Sequence, residues 1–204
     1  MKQQWRFIMQ KYLIFVGASG TGKSTVKNIL TKLAPATFVN VEQYTTRKRR
    51  DREPPQAYHF VTDEQYEAEK DKLIGCCTIN GKHYGSIPTP LYDTRTGIIV
   101  LNNEGLDDFL QKIDRNKVAF RVVGIHRSLE EAIKVRGEER SEEYIRNEYE
   151  IYKRADYTFE NDYEQISMQA LVQMFQKFDE LLNHESQLKD TDEWLRTHLT
   201  TLPA

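Results

Sequence analysis

Nine residues near the N-terminus, GASGTGKST at 17–25, narrow the folds open to this chain more than any other segment. They fit G-x-x-x-x-G-K-[ST], with Gly17, Gly22, Lys23 and Ser24 at the fixed positions. An apolar run from Tyr12 to Val16 precedes them, as a buried parallel strand would. After them Val26, Ile29, Leu30 and Leu33 fall at i, i+3, i+4 and i+7, the stripe of a helix facing a core, and Pro35 ends it. Strand, glycine turn and helix in that order aim several backbone N–H groups and a helix N-terminus at one anion. The segment therefore predicts a nucleoside triphosphate site, with Gly17, Ala18, Ser19, Gly20, Thr21, Gly22, Lys23, Ser24 and Thr25 around the phosphates of ATP. Lys23 would reach the β- and γ-phosphates, and Ser24 would hold Mg²⁺.

The rest of the chain alternates strand-like and helix-like segments, which points to an α/β fold of the P-loop NTPase type, a parallel sheet flanked by helices. Buried strands are expected at 98–101 and 118–125, with a short one at 157–159. Leu106, Phe109, Leu110 and Ile113 predict one helix between them. Ile145, Tyr149 and Tyr152 mark another, and Ile166, Ala170, Met174, Phe178 and Leu181 mark a long C-terminal one. Ser128 and Glu131 form a capping box. Residues 40–97 read as polar, tyrosine-rich and irregular, with one helix near 63–73 opened by a Thr62/Gln65 capping box. The expected division is a single domain: core 10–40, 97–125 and 143–184, a flap at 41–96, a lid at 126–142, and a polar tail at 185–204 where Trp194, Leu195 and Leu199 could dock.

Composition removes several classes of function. Among 204 residues Lys plus Arg number 29 and Asp plus Glu 31, a net charge of -2, which argues against a generally basic nucleic-acid binder. No apolar run approaches the roughly 18 residues of a membrane helix. The N-terminal MKQQWRFIMQKY has no apolar signal-peptide core. Cys76 and Cys77 are adjacent, a strained pairing for a disulfide, so a reduced, cytoplasmic protein is expected. The positive charge is concentrated in TTRKRRDR at 45–52, where five of the six residues from Arg47 to Arg52 are cationic. Crowded arginines suit phosphate oxygens, and a solvated loop would serve the charge equally well.

Taken together, the motifs resemble the guanylate kinase family of nucleoside monophosphate kinases. The glycine loop is followed in family order by Thr45-Thr46-Arg47 with Arg50, by Tyr58-His59-Phe60 and by Tyr84-Gly85-Ser86. Arg136-Gly137 and then Asp156-Tyr157 leading to Asn161-Asp162 complete the set, across roughly residues 12 to 182. The resemblance implies that Arg47, Arg50, Tyr58 and Tyr84 grip the phosphate of a monophosphate acceptor, with Ser86 beside them. It implies that Arg136 comes from the lid to stabilise the transferring group, and that Asn161 lies near the adenine of ATP.

The departures fall on the positions that read guanine in the family. Gln43 stands where the family has serine, Gly75 where it has glutamate, and Val100 and Asn102 where it has D-x-D. Gly75 leaves room, and Gln43 and Asn102 each donate as well as accept. A pyrimidine or modified base therefore matches as well as GMP. Glu42, Asp93 and Glu104 are the nearby acids that could replace the missing one near the metal. Arg127, Arg140 or Arg146 could stand in for a second lid arginine. Two other readings stay open: a P-loop kinase acting on a modified nucleotide or a modified base in DNA, and a non-catalytic guanylate-kinase-like interaction module. The expected assembly is a monomer or homodimer.

Overall fold

Strand β1 (Gln10–Val16) sends alternate apolar side chains into two cores, one on each face of the sheet it centres. Leu13 and Phe15 enter one, and Tyr12, Ile14 and Val16 the other, all at most 1% exposed. This period of two with both faces buried is why the segment reads as a continuous apolar run. The computed structural model describes residues 10–51, 53–115, 117–136, 141–161 and 167–183, with Arg136 described by its backbone alone.

Helix α1 (Lys23–Leu33) follows the glycine loop, and its Val26 and Leu30 join the Leu13/Phe15 core. Strand β2 (Phe38–Asn40) forms one edge of the main sheet. The chain then leaves that sheet through β3 (Gln43–Thr45), β4 (His59–Phe60), α2 (Asp63–Glu69), β5 (Ile74–Ile79) and β6 (Lys82–Ser86). It returns as β7 (Thr96–Val100), α3 (Asn103–Lys112), β8 (Val118–His126), α4 (Leu129–Arg136), α5 (Glu142–Glu148), β9 (Tyr157–Glu160) and α6 (Met168–Asn183). The main sheet has the order β2-β7-β1-β8-β9, and each of its pairings is parallel. On one face, α1 and α6 cover a core that includes Phe38, Phe159, Phe175 and Phe178. On the other lie α3, through Leu106 and Phe109, and a 3-10 stretch at Tyr149–Arg154, through Ile151. The expected α/β fold with a parallel sheet flanked by helices is the observed one.

The stretch expected to be irregular is instead a second sheet, of order β4-β3-β6-β5. Its hairpin turns at Asn80-Gly81, both with positive φ (51° and 68°), the conformation of a tight turn between twisted strands. The capping box at the start of α2 forms as expected, with both reciprocal bonds between Thr62 and Gln65. Side chains of α3 hold the free edge of β5. Asp108 accepts from Cys76 N at 2.9 Å, Glu104 accepts from Thr78 N at 3.0 Å, and Lys112 Nζ donates to the Leu73 carbonyl at 2.9 Å. These bonds satisfy an exposed strand edge and fix the small sheet against the main one. Among the described residues no helix is long and apolar enough to cross a membrane. Ile166 and the expected docking residues Trp194, Leu195 and Leu199 lie outside the described residues.

Candidate functional site

The carboxyl ends of the main-sheet strands meet at one cleft of 920 Å³, where ligands of open parallel sheets bind. The glycine loop leaves β1 there, Asn102 follows β7, and Arg127 follows β8. Gly17, Ser19, Gly20, Gly22, Lys23, Ser24 and Thr25 line it from the main sheet. Gln43, Arg47, Arg50, Tyr58 and Tyr84 line it from the small sheet and its loops. Two sets of residues separated in sequence thus face one space.

The loop is supported from below. Gly17 has φ 144°, and a Cβ there would stand 2.5 Å from the Ile125 carbonyl oxygen and 2.8 Å from the Tyr152 hydroxyl, so only glycine fits. Thr21 is fully buried, its hydroxyl donating to the Ala18 carbonyl at 2.9 Å. Asn161 Nδ2 donates to the Thr21 carbonyl at 2.7 Å, and Asn161 N donates to the His126 carbonyl at 2.8 Å. Ala18, Thr21 and Asn161 are therefore buried supports of the loop and do not line the cleft. Lys23 Nζ donates to the carbonyls of Gly17 and Ala18, at 2.7 and 2.6 Å. Glu148, from α5, accepts from Ser19 N at 2.7 Å, a contact no sequence pattern foretells.

On the opposite wall Arg47 lies 4.9 Å over the ring of Tyr58 and pairs with Glu53. The bond to Glu53 raises the Arg47 pKa, and the same bond holds the Glu53 carboxyl below its ordinary range. Burial raises the Tyr58 phenol, so it remains a donor. Tyr58 and Tyr84 meet edge to face with centroids 6.1 Å apart. Ser86 is fully buried behind this wall, and Gln43 Nε2 donates to its hydroxyl at 3.0 Å. Ser86 thus orients Gln43 and does not line the cleft.

Next to Gln43 the cleft is lined by Gly75, Cys77, Ile79, Leu101 and Asn102. Gly75 does not leave free room at its Cβ position. Its φ is +65°, and a Cβ would stand 2.6 Å from Leu101 Cδ2, so leucine fills that space. Asn102 caps α3, its Oδ1 accepting from Gly105 N at 2.9 Å. Burial pushes the Cys77 thiol up to about 12, which keeps it protonated.

None of the three acids suggested near the metal lines the cleft. Glu42 bonds His59 at 2.5 Å, Glu104 bonds Thr78 N, and Asp93 pairs with Arg95 just before the amino end of β7, away from the carboxyl ends that meet at the cleft. Of the suggested arginines, Arg127 lines the cleft and lies 3.3 Å from Glu131. Arg146 pairs with Glu142 and does not line it. Arg140, Gly137, Asp162 and the Arg136 side chain lie outside the described residues.

Glu53, Glu148 and Tyr152 make contacts in the site that none of the motifs names. Glu53 was legible, because it ends the basic run six residues after Arg47. The other two are joined to the loop across more than a hundred residues.

Known proteins share the sequence pattern and the fold of this chain. Mouse protein PALS2 is 34% identical over 104 residues, 48% of this chain and 19% of PALS2, so the match spans about a fifth of that relative. A guanylate kinase of Aster yellows witches'-broom phytoplasma is 27% identical over 164 residues, 74% of this chain and 78% of that protein. The crystal structure of guanylate kinase from Anaplasma phagocytophilum shares the fold, with a TM-score of 0.59 at 19% identity over 87% of this chain and 86% of that one. The family model for guanylate kinase matches residues 9–185, which takes in the glycine loop, both sheets and the cleft between them, and the chain belongs to the guanylate kinase family.

Proposed function

We propose that this chain is a nucleoside monophosphate kinase, moving the γ-phosphoryl group of ATP to a ribo- or deoxyribonucleoside monophosphate whose base is not guanine. One observation carries the reading: the glycine loop with Lys23 and the Arg47, Arg50, Tyr58 and Tyr84 set line the same cleft. Phosphoryl transfer asks little covalent chemistry of a protein. It asks that two polyanions be held in line while fixed positive charge offsets their repulsion.

The loop residues suit a triphosphate. Gly17, Gly20 and Gly22 all have positive φ, the curled backbone that a phosphate-binding loop ahead of a helix needs. ATP, when bound, supplies the transferable phosphoryl group, and Mg²⁺ offsets charge on its oxygens. Ser24, exposed at the start of α1, would hold that ion, and Lys23 would leave the Gly17 and Ala18 carbonyls for the phosphates. Arg47 and Arg50, with the hydroxyls of Tyr58 and Tyr84, would hold the acceptor phosphate. Arg136, at the end of α4, would bring lid charge to the transferring group, and lid closure would exclude water.

The base preference rests on the lining residues around Gln43. Guanine presents N1–H and N2–H₂ donors, and charged acceptors recognise them best. Among the described residues the carboxylates lining the cleft are Glu53 and Glu148, bonded to Arg47 and to Ser19 N. Where a site depends on such partners, their loss changes discrimination by roughly 10⁴. The amides of Gln43 and Asn102 beside Cys77, Ile79 and Leu101 suit a smaller or less donor-rich base.

ADP release from ATP and Mg²⁺, with and without a pool of monophosphates, tests the reading. ADP formation that depends on the pool supports it. ATP binding without acceptor-dependent ADP would overturn it in favour of a non-catalytic module or an acceptor of another kind.

A further inference from the structure

Arg47 to Asp51 and Glu53 belong to a turn held by its own atoms. Glu53 N donates to the Arg50 carbonyl at 3.1 Å, and Arg49 Nη1 donates to the Glu53 carbonyl at 3.0 Å. Arg50 N donates to Glu53 Oε2 at 3.3 Å. The same carboxylate takes the terminal fork of Arg47: Nη1 donates to Oε2 at 2.7 Å, and Nη2 donates to Oε1. Nη1 also donates to the Lys48 carbonyl at 3.0 Å. One face of the guanidinium lies over Tyr58, and its carbon is 5.4 Å from the ring centroid of Phe60. The two side chains are only 13% and 16% exposed, so this is a fixed arrangement within the wall of the cleft.

A guanidinium has two edges that can grip an oxyanion bidentately, the terminal Nη1/Nη2 fork and the side edge of Nε with the outer Nη2 hydrogen. The Glu53 bonds use the first and not the second, and the Tyr58 hydroxyl bonds the same guanidinium. We propose that Glu53 is a positioning residue for the acceptor phosphate: it fixes the plane of Arg47 so that the arginine meets the phosphate by its Nε edge. This rests on the acceptor role proposed above for Arg47. The opposite assignment, a carboxylate that competes with the phosphate and leaves when it arrives, requires Glu53 to come away from Arg47. Its carboxylate also accepts from Arg50 N at 3.3 Å, and its main chain is bonded to Arg49 and Arg50, which ties it to the turn that carries Arg47. Its charge also offsets repulsion within the run of cations.

The test compares wild type with Glu53→Ala, Glu53→Gln, Arg47→Ala and the Arg47→Ala/Glu53→Ala double variant. The acceptor is whichever common nucleoside monophosphate wild type phosphorylates best, and thermal unfolding checks that each variant is folded. The account expects Glu53→Ala to raise the acceptor KM about tenfold, as loss of one charge-assisted pair would, with the ATP KM within about twofold. Glu53→Gln, which keeps a hydrogen-bonding partner for Arg47, should recover part of that loss. The double variant should be no worse than Arg47→Ala, because Glu53 acts through Arg47. A lower acceptor KM in Glu53→Ala would establish competition and overturn the proposal. Additive effects in the double variant would also overturn it. A wild type that phosphorylates no monophosphate would remove the acceptor reading itself and this assignment with it, an outcome distinct from an active wild type indifferent to Glu53.

Discussion

The Tyr152 hydroxyl bridges the glycine loop to the strand beside it: it accepts from Ala18 N at 3.2 Å and donates to the Ile125 carbonyl at 2.8 Å. Its ring also occupies the space beside Gly124, where a Cβ would stand 2.8 Å from Tyr152 Cδ1. Burial pushes the phenol up to about 12, so it stays a donor across the working range of pH. Tyr152→Phe keeps the ring and orphans two backbone groups. It should lower stability by about 1–3 kcal/mol and raise the ATP KM several-fold while leaving the acceptor KM unchanged. Denaturant unfolding and steady-state kinetics on one preparation check both parts.

Lys23 is expected to matter to rate and little to fold. It donates to two carbonyls of the loop it belongs to, and its side chain is half-buried at the cleft. Lys23→Ala should reduce kcat by roughly 10²–10³, the cost of removing one fixed charge from a transition state. The unfolding midpoint should move by little. A Lys23→Ala protein with kcat near that of wild type would contradict the mechanism.

Lys27 lines the cleft one turn into α1, and burial lowers its pKa to about 8 from 10.5. The charged and titratable groups sharing that cleft are Lys23, Arg47, Arg50, Glu53, Tyr58, Cys77, Tyr84, Arg127 and Glu148. Because the folded pKa lies below the unfolded value, the unfolded chain binds more protons between about pH 8 and 10.5. Stability from this group therefore rises with pH through that window, and its charged form costs at most about 3 kcal/mol at neutral pH. Lys27→Met should be more stable than wild type at pH 7, with the gap closing by pH 10. Urea unfolding at the two pH values checks the sign.

The helical cover of the sheet depends on Phe175, which is fully buried and packs against Phe15, Phe159 and Phe178. Phe175→Ala should cost about 3–5 kcal/mol, since the surrounding rings cannot close the cavity. Asp179 anchors the same helix, pairing with Lys11 at 2.7 Å and with the Thr96 hydroxyl. Asp179→Ala would leave Lys11 buried without its carboxylate, a loss of about 3 kcal/mol measurable as a fall in unfolding midpoint.

The main sheet was legible because β1, β7 and β8 are buried on both faces and read as apolar runs. The small sheet was not. Strand β3 is three residues long, β4 is two, and β6 reads Lys-His-Tyr-Gly-Ser, so hydrophobic period gives no purchase. The Asn80-Gly81 turn was a local clue to the β5/β6 hairpin. The partner of β3 is 43 residues away at Ser86, and local reading cannot supply such pairings. The site divides in the same way. The glycine loop is contiguous and could be read directly, and so could the run from Arg47 to Glu53. That Ser86 and Asn161 support the cleft from behind, and that Glu148 reaches Ser19, depends on packing between distant segments.

The most direct test of the account is ADP release from ATP and Mg²⁺ with each ribo- and deoxyribonucleoside monophosphate in turn, beside a lane with DNA alone. The account predicts that one monophosphate with a base other than guanine stands clear of the rest, and that GMP and dGMP are poor acceptors. Preference for GMP would contradict the reading of Gln43, Gly75 and Asn102. Silence on every monophosphate, with ATP still bound, would contradict the proposed kinase activity.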